Sequence, residues 1–159
     1  MSMRIAVGAD HAGFPLKGPI IAELQRLGHE VLDLGTHSEE PVDYPDFAQA
    51  VGEAVMRGEG DRGVLVCGSG VGASVAANKI PGVRAAVCHD TFSARQGVED
   101  DDMNVLCLGS RVVGPQLALE IIRAWERAVF SQAERHVRRL AKVTAIEERY
   151  QRNKEVSRG

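Results

Sequence analysis

The chain has 159 residues, of which 44% are hydrophobic, with 19 Lys and Arg against 22 Asp and Glu. This length and composition are typical of one globular domain whose core needs neither disulfides nor a structural metal, and we treat residues 1–159 as that single domain. The net charge of −3 is too balanced for a nucleic-acid binder or a protein of membrane surfaces.

The N-terminal segment has no basic stretch followed by an apolar run, and no stretch approaches the ~20 apolar residues that span a bilayer. The sequence therefore predicts a cytoplasmic protein with no membrane partner. Cys67, Cys88 and Cys107 form no C-x-x-C pair, which fits neither a zinc site nor a disulfide framework. We expect them to be reduced thiols.

Short apolar runs rich in β-branched residues alternate with helical patterns along the chain, which predicts a parallel sheet built from βαβ units. The expected strands lie at residues 3–8, 29–34, 63–67, 84–88 and 104–108. Six helices are expected. The first begins near Pro15, the second is capped by Asp46, and the third runs from the glycine loop to about Lys79. The last three span residues 91–98, 115–130 and 132–150. The polar tail, residues 151–159, is expected to fray.

In a parallel α/β sheet, ligands bind beyond the carboxyl ends of the strands. Four of the five predicted strands are followed there by reactive or polar side chains, in Asp10-His11, Cys67-Gly68-Ser69-Gly70-Val71-Gly72, His89-Asp90 and Gly109-Ser110-Arg111. Because these strand ends meet at one edge, the sequence predicts a single site along it.

The loop after the third strand, residues 67–72, gives the strongest local signal. Its three glycines allow backbone N–H groups to turn toward an anion at a helix N-terminus. A thiol such as Cys67 can form a thiolate there and act as base or nucleophile. Equally, Cys67 could be a small buried hydrophobe like Cys88 and Cys107.

The same loop matches the dinucleotide pattern G-x-G-x-x-A through Gly68, Gly70 and Ala73, with Asp90 further on. The match lies on the third strand rather than the first, so a dinucleotide-binding module is a distant alternative. No phosphate-loop pattern G-x-x-x-x-G-K-[ST] occurs in the sequence.

Three further groups of charged residues have two interpretations each. Asp10 and His11 suit proton transfer or binding of sugar hydroxyls and phosphate, but could be a helix cap and a surface residue. The carboxylates at residues 99–102 are more typical of a solvated loop than of a metal site. Arg135 and Arg139 lie on one basic helical face with Lys142, His136 and Arg138. This face could bind phosphate or could simply be exposed to solvent.

Taken together, these motifs resemble the type B ribose-5-phosphate isomerases, in a family that also includes galactose-6-phosphate isomerase. The resemblance covers about residues 3–150, in order. Its motifs are Gly8-Ala9-Asp10-His11-Ala12-Gly13 with Lys17, Asp43-Tyr44-Pro45, Cys67 to Gly72 with Ala77-Asn78-Lys79, Asn104-Val105-Leu106, Gly109-Ser110-Arg111, and Arg135-His136 with Arg139.

The resemblance implies a Rossmann-like three-layer αβα sandwich with a five-stranded parallel sheet and an extra C-terminal helix. It also implies interconversion of aldose and ketose phosphates through a cis-enediolate, without metal or other cofactor, in a homodimer that could pair into a tetramer. Cys67 would be the base between C1 and C2, and Ser69 would move the hydroxyl proton. N–H groups of the loop would bind the enediolate oxygen, with Gly68, Gly70, Val71 and Gly72 as its members.

Substrate binding is implied for two further sets of residues. Asp10 would hold sugar hydroxyls, and His11 would bind the phosphate in a pocket that Arg111 also lines. Arg135 and Arg139 of the partner subunit would complete the phosphate site.

The sequence departs from the family at one place. Family members carry a ring-opening histidine, often followed by asparagine, where this chain has Asp100 and Asp101. Either Asp100 replaces that histidine as acid/base, or the substrate needs no ring opening, as for a tetrose 4-phosphate; His89 is a further candidate for the ring-opening group. Ribose 5-phosphate to ribulose 5-phosphate is the leading reaction, and erythrulose 4-phosphate, allose 6-phosphate or galactose 6-phosphate are alternative substrates.

Overall fold

The computed structural model describes residues 1–158, with side chains for residues 1–154. Five parallel strands form one sheet in the order β2-β1-β3-β5-β4. The strands are β1 (Arg4–Ala9), β2 (Glu30–Asp33), β3 (Arg62–Cys67), β4 (Ala85–Val87) and β5 (Val105–Gly109). The three central strands are almost fully buried, because helices cover both faces of the sheet.

Six helices complete the chain: α1 (Phe14–Arg26), α2 (Tyr44–Met56), α3 (Val71–Ala77), α4 (Thr91–Asp101), α5 (Pro115–Glu126) and α6 (Glu134–Arg158). One core cluster packs α1, α4 and α5 against the sheet and includes the fully buried Trp125. A second cluster packs α2 and α3 against the opposite face. The predicted αβα sandwich with a C-terminal helix is thus confirmed, and α6 packs on α4.

The strand register brings the site-bearing loops to the same level. Ala9 pairs with Val66 across β1 and β3, and Cys67 pairs with Gly109 across β3 and β5. The three central strands therefore end together, and the loops that follow them meet at one edge.

Several predicted boundaries are wrong by a few residues. Helix α2 is preceded by Asp43 rather than Asp46, because Pro45 fits the first helical turn. Helix α4 continues past Val98 to Asp101 and ends with Asp102 in the left-handed region, at φ 51°. The first three carboxylates of residues 99–102 are therefore helical and not in a loop, and Asp102 ends the helix.

The edge strands and the last helices also differ from prediction. Strands β2 and β4 are shorter than expected, and α3 ends at Ala77. Helix α5 ends at Glu126, before residue 130, and α6 begins at Glu134 rather than 132. Helix α6 includes residues 151–158. The fraying expected of residues 151–159 stays a prediction, because the side chains of residues 155–159 lie outside the described part of the chain. Within the described residues, no helix has the length and apolarity that a bilayer crossing requires.

Candidate active site

A pocket of about 290 Å³ opens at the carboxyl ends of β1, β3 and β5. It brings together six residues predicted from the strand-end loops, and it adds two residues that sequence reasoning missed. Its lining consists of Asp10, Tyr44, Cys67, Gly68, Ser69, Gly72, Arg111 and Val112.

Cys67 is the last residue of β3 and is 4% exposed, yet it lines this pocket. The Gly70 backbone N–H donates a hydrogen bond to its Sγ at 3.1 Å, which places a donor where a thiolate charge would develop. Cys88 and Cys107 lie in the core instead, and burial raises the pKa of Cys88 to about 11 and that of Cys107 further. Cys67 is thus the thiol that lines the pocket, whereas Cys88 and Cys107 are inert core thiols.

The turn that follows Cys67 requires glycine for close packing. Gly70 has φ +82°, and a Cβ there would lie 3.0 Å from the Leu108 carbonyl carbon. A Cβ on Gly72 would lie 2.7 Å from Tyr44 Cζ. The turn is therefore pressed between β5 and the start of α2, with its backbone facing the pocket.

Ser69 lies at the exposed side of this turn. Its Oγ accepts a hydrogen bond from the Val71 N–H at 3.2 Å, which leaves the hydroxyl hydrogen free to donate to a ligand. Val71 begins α3 and is itself more than half exposed.

Asp10 and His11 follow β1 on the other side of Cys67. Asp10 is 7% exposed, and its Oδ1 accepts the Gly13 N–H at 2.9 Å. The N-cap of α1 is Gly13, so Asp10 is not the helix cap. His11 Nδ1 accepts the Val42 N–H at 3.1 Å, so in the neutral ring Nε2 carries the proton and can donate to a ligand.

Arg111 supplies a cation to the pocket. Its backbone N–H donates to the Gly68 carbonyl at 3.0 Å, and its guanidinium lies over Gly68, with Nη1 3.3 Å from where a Cβ would stand. No carboxylate within the described part of the chain forms an ion pair with Arg111. The guanidinium is thus available to an anionic ligand.

The predicted residues on α4 and α6 do not line the Cys67 pocket of the single chain. Asp101 and Arg139 line a separate pocket of about 510 Å³ between α4 and α6. Arg135 is exposed at the start of α6. His136 is not on the exposed basic face, because it is 6% exposed and turns inward toward Asp100.

The side chains of residues 99–102 that carry ion pairs or hydrogen bonds point to different partners. Asp100 Oδ1 lies 3.4 Å from His136 Nε2, and its Oδ2 accepts from Gln96 at 2.7 Å. Glu99 pairs with Arg95 at 2.9 Å, and Asp102 pairs with Arg84 at 3.1 Å. These carboxylates do not converge on one point.

His89 also lies outside the pocket lining, although it follows β4 at the same edge. Its Nε2 accepts the Gly109 N–H at 2.9 Å, which ties the end of β4 to the end of β5.

Tyr44 and Val112 are the two lining residues that sequence reasoning missed. A signal existed for Tyr44 in the Asp43-Tyr44-Pro45 motif, whereas Val112 shows none beyond following Arg111.

Comparison with known proteins agrees with this geometry. A family model described as "Ribose/Galactose Isomerase" matches residues 5–143. The chain is 50% identical to Escherichia coli ribose-5-phosphate isomerase B over 146 residues, covering 92% of this chain and 97% of that protein. It is 45% identical over 130 residues to the D-erythrulose-4-phosphate isomerase of Pectobacterium atrosepticum, covering 80% of this chain and 85% of that protein.

A solved structure gives the same result at the level of the fold. Ribose-5-phosphate isomerase B of Clostridium thermocellum superposes with a TM-score of 0.90 and 51% identity, over 93% of this chain and 99% of that one. Sequence and fold thus agree, and the chain belongs to the ribose/galactose isomerase family.

Proposed function

We propose that this protein interconverts D-ribose 5-phosphate and D-ribulose 5-phosphate. The observation that carries the proposal is the thiol of Cys67 at the floor of a pocket, with a backbone donor on its sulfur and the free cation of Arg111 at the rim. This set suits a small anionic substrate with an acidic C–H group. The names of the relatives from Escherichia coli and Clostridium thermocellum support the choice of substrate.

In the proposed reaction Cys67, as the thiolate, removes the proton from C2 of the open-chain aldose. The electron pair of that C–H bond forms the C1=C2 double bond of a cis-enediolate, while the π pair of the C1=O1 carbonyl moves onto O1. Cys67 then returns the proton to C1, as the C1=C2 π pair takes it up and O2 forms the new carbonyl with C2. Ser69 transfers the hydroxyl proton from O2 to O1, so atoms and charge balance. Backbone N–H groups of the Gly68 to Gly72 turn stabilise the enediolate oxygen, because they point where the negative charge develops.

The other residues in and beside the pocket bind the substrate. Asp10 accepts hydrogen bonds from sugar hydroxyls through the carboxylate oxygen that Gly13 leaves free. His11 donates from Nε2, and Arg111 adds its charge, to the phosphate. Tyr44 and Val112 close the pocket walls.

We propose that a second copy of the chain completes the site, in a homodimer that could pair further into a tetramer. Arg135 and Arg139 would bind the phosphate bound by the partner, with Asp100 and Asp101 beside them. Two observations support this: Arg139 and Asp101 line a pocket that shares no residue with the one that Cys67 lines, and Arg135 is exposed. We assign the reaction to the cytoplasm, where the three free thiols would stay reduced.

A second candidate substrate is a tetrose 4-phosphate, which cannot close a furanose because the hydroxyl needed is esterified. The observation that favours it is Asp100, which stands in place of the ring-opening histidine of the family. Both oxygens of its carboxylate already have partners, in His136 and Gln96. The relative from Pectobacterium atrosepticum is named for erythrulose 4-phosphate.

The experiment that tests the proposal is ketose formation from ribose 5-phosphate without added metal or nucleotide, with erythrulose 4-phosphate and hexose 6-phosphates assayed in parallel. We expect Cys67→Ala to lower kcat by about 10³-fold, because it removes the base. Cys88→Ala is the matched control and keeps the parent's kcat, since Cys88 is a core thiol.

The outcomes discriminate between the hypotheses. Activity of Cys67→Ala equal to that of the parent would overturn the role of the base. Turnover confined to another phosphate would keep the mechanism and change the substrate. No turnover of any phosphate, together with a change in nicotinamide fluorescence, would favour the dinucleotide-binding module.

A further inference from the structure

His89 lies just beyond β4, behind the turn that carries Cys67, and the steps proposed above do not use it. The β4–β5 ladder continues past Val87 with the Cys88 N–H bonded to the Cys107 carbonyl at 3.2 Å. In a regular parallel ladder the next bond would run from the Gly109 N–H to the Cys88 carbonyl. Here the His89 imidazole takes that N–H instead, at 2.9 Å.

This bond fixes the state of the ring. Because Nε2 of His89 accepts a hydrogen bond, it carries no proton, and the ring proton lies on Nδ1. His89 is therefore an acceptor directed at one peptide group, the peptide between Leu108 and Gly109.

That peptide is the surface on which the turn after Cys67 packs. A Cβ on Gly70 would lie 3.0 Å from the Leu108 carbonyl carbon and 3.3 Å from the Gly109 nitrogen. A Cβ on Gly109 would lie 2.6 Å from the Ser69 carbonyl carbon. No space separates the two backbones, so a tilt of the Leu108–Gly109 peptide must displace the turn.

The position of this turn determines the hydrogen bond that the Cys67 thiol accepts. The Gly70 N–H donates to Cys67 Sγ at 3.1 Å, and Gly70 packs against the peptide that His89 holds. A chain of direct contacts therefore joins His89 Nε2 to Cys67 Sγ through Gly109 and Gly70.

We propose that His89 is a positioning residue for the reaction: by accepting the Gly109 N–H, it holds the peptide against which Gly70 places its own N–H on the Cys67 sulfur. The proposal rests on the proposed role of Cys67 as base. It differs from a role for His89 in ring opening, because it requires only an acceptor at the position of Nε2.

The test compares two amide variants of matched chemistry. In His89→Gln the side-chain oxygen reaches about as far as Nε2 and can accept the Gly109 N–H. In His89→Asn the oxygen stops near the position of Nδ1 and cannot reach it. Both variants are polar, neutral and free of a titrating ring, so they differ chiefly in reach.

Two readouts are measured on each variant and on the parent: kcat and KM for ribose 5-phosphate, and amide hydrogen exchange at Gly109 and Gly70. We expect His89→Asn to lower kcat about tenfold with little change in KM. We also expect it to speed exchange at both glycines by about tenfold, since each backbone N–H loses its side-chain acceptor. We expect His89→Gln to resemble the parent in all of these.

The proposal is overturned if His89→Asn leaves exchange at Gly70 unchanged, or if the two variants lose kcat equally. A role in ring opening predicts the second pattern, because neither amide transfers a proton. Should the protein turn over no sugar phosphate at all, the proposed function fails, and the exchange at Gly70 still decides whether His89 controls the turn. Should His89→Asn fail to fold, the test rests on His89→Gln alone. Values of kcat and of exchange like those of the parent then support the proposal, and a fall in kcat or faster exchange at the two glycines overturns it.

Discussion

In the proposed function, the choice between the two candidate substrates rests on Asp100. Its side chain is about one-third exposed and is held between His136 on α6 and Gln96 on α4. A carboxylate beside an imidazole can share a proton with it, so the pair can act as acid and base for a sugar ring.

We therefore predict that Asp100→Asn distinguishes substrates that close into rings from those that cannot. Turnover of ribose 5-phosphate falls by about 10²-fold if Asp100 opens the furanose, while turnover of erythrulose 4-phosphate stays at the parent's value. Initial rates of ketose or aldose formation on the two substrates measure this.

Asp102→Asn is the matched control, because Asn tolerates the left-handed backbone at that position and removes a neighbouring charge. An equal loss on both substrates would show that the Asp100–His136 contact serves only to join α4 and α6. An unchanged rate on ribose 5-phosphate would exclude Asp100 as the ring-opening group.

Single residues also show how far the sequence alone leads. The rule that parallel strands end at one edge is enough to group Asp10, Cys67 and Arg111 from their places after three predicted strands. Tyr44 could not be found in this way, because it reaches the pocket only through contact with Gly72 across two helices. The inward turn of His136 toward Asp100 likewise depends on how α6 packs on α4.

At the scale of elements, one carboxylate joins α1 to α5. Glu23 on α1 is buried and accepts from Arg26 on the same helix and from Arg123 Nε on α5, at 2.9 Å for the latter. The hydrogen bond from Arg26, then that from Arg123, lowers the pKa of Glu23 from 4.5 to about 2. The folded protein therefore binds the proton of this group less tightly than the unfolded chain does.

This sign predicts the pH dependence of stability. The contribution of Glu23 is complete above pH 4.5 and is lost as the pH falls toward 2. We expect Glu23→Gln to lower Tm at pH 6, and the difference from the parent to shrink as the pH falls through that window. Thermal melts at several pH values measure it.

Glu30→Gln is the matched control, because Glu30 forms an exposed pair with Arg4 and should change Tm little at any pH. A Tm difference for Glu23→Gln that stays constant across the acid range would contradict the prediction. It would mean that packing of the side chain, rather than its charge, joins α1 to α5.

The elements themselves are predictable in number, type and order, and less so at their ends. Apart from Arg4 and Arg62 at their first positions, strands β1, β3 and β5 are apolar because helices cover both faces, and their predicted bounds are correct within one residue. The edge strands β2 and β4 pair on one side only, so apolar pattern overestimates their length. The start of α2 depends on whether Asp43 or Asp46 is the N-cap, that is, on whether Pro45 lies in the first helical turn or before the helix, and the sequence pattern alone does not decide this.

At the scale of the whole molecule, the proposed site is divided between two surfaces of the chain. One surface carries the pocket with Cys67, and the other carries Arg139 with Asp101 between α4 and α6. Sequence motifs name residues on both surfaces but give no distance between them. Only the fold shows that one copy does not bring them together, and this makes the assembly itself testable.

A site shared between copies predicts that two inactive variants restore each other. In a mixed dimer of Cys67→Ala and Arg139→Gln, one site receives both defects and the other receives none. Unfolding and refolding an equimolar mixture gives mixed dimers as about half of the total, so we expect about a quarter of the parent's activity per site. Ketose formation after refolding measures this, with each variant refolded alone as baseline.

The matched control mixes Cys67→Ala with Ser69→Ala, whose defects lie in the same surface. Each site of that mixed dimer keeps one defect, so activity should stay at the baseline. Recovery in the control as strong as in the test would mean that exchange between copies occurs by some other route than a shared site. Absence of recovery with Arg139→Gln, in a sample shown to contain mixed dimers, would place each complete site within a single chain and remove the role proposed for the arginines of α6.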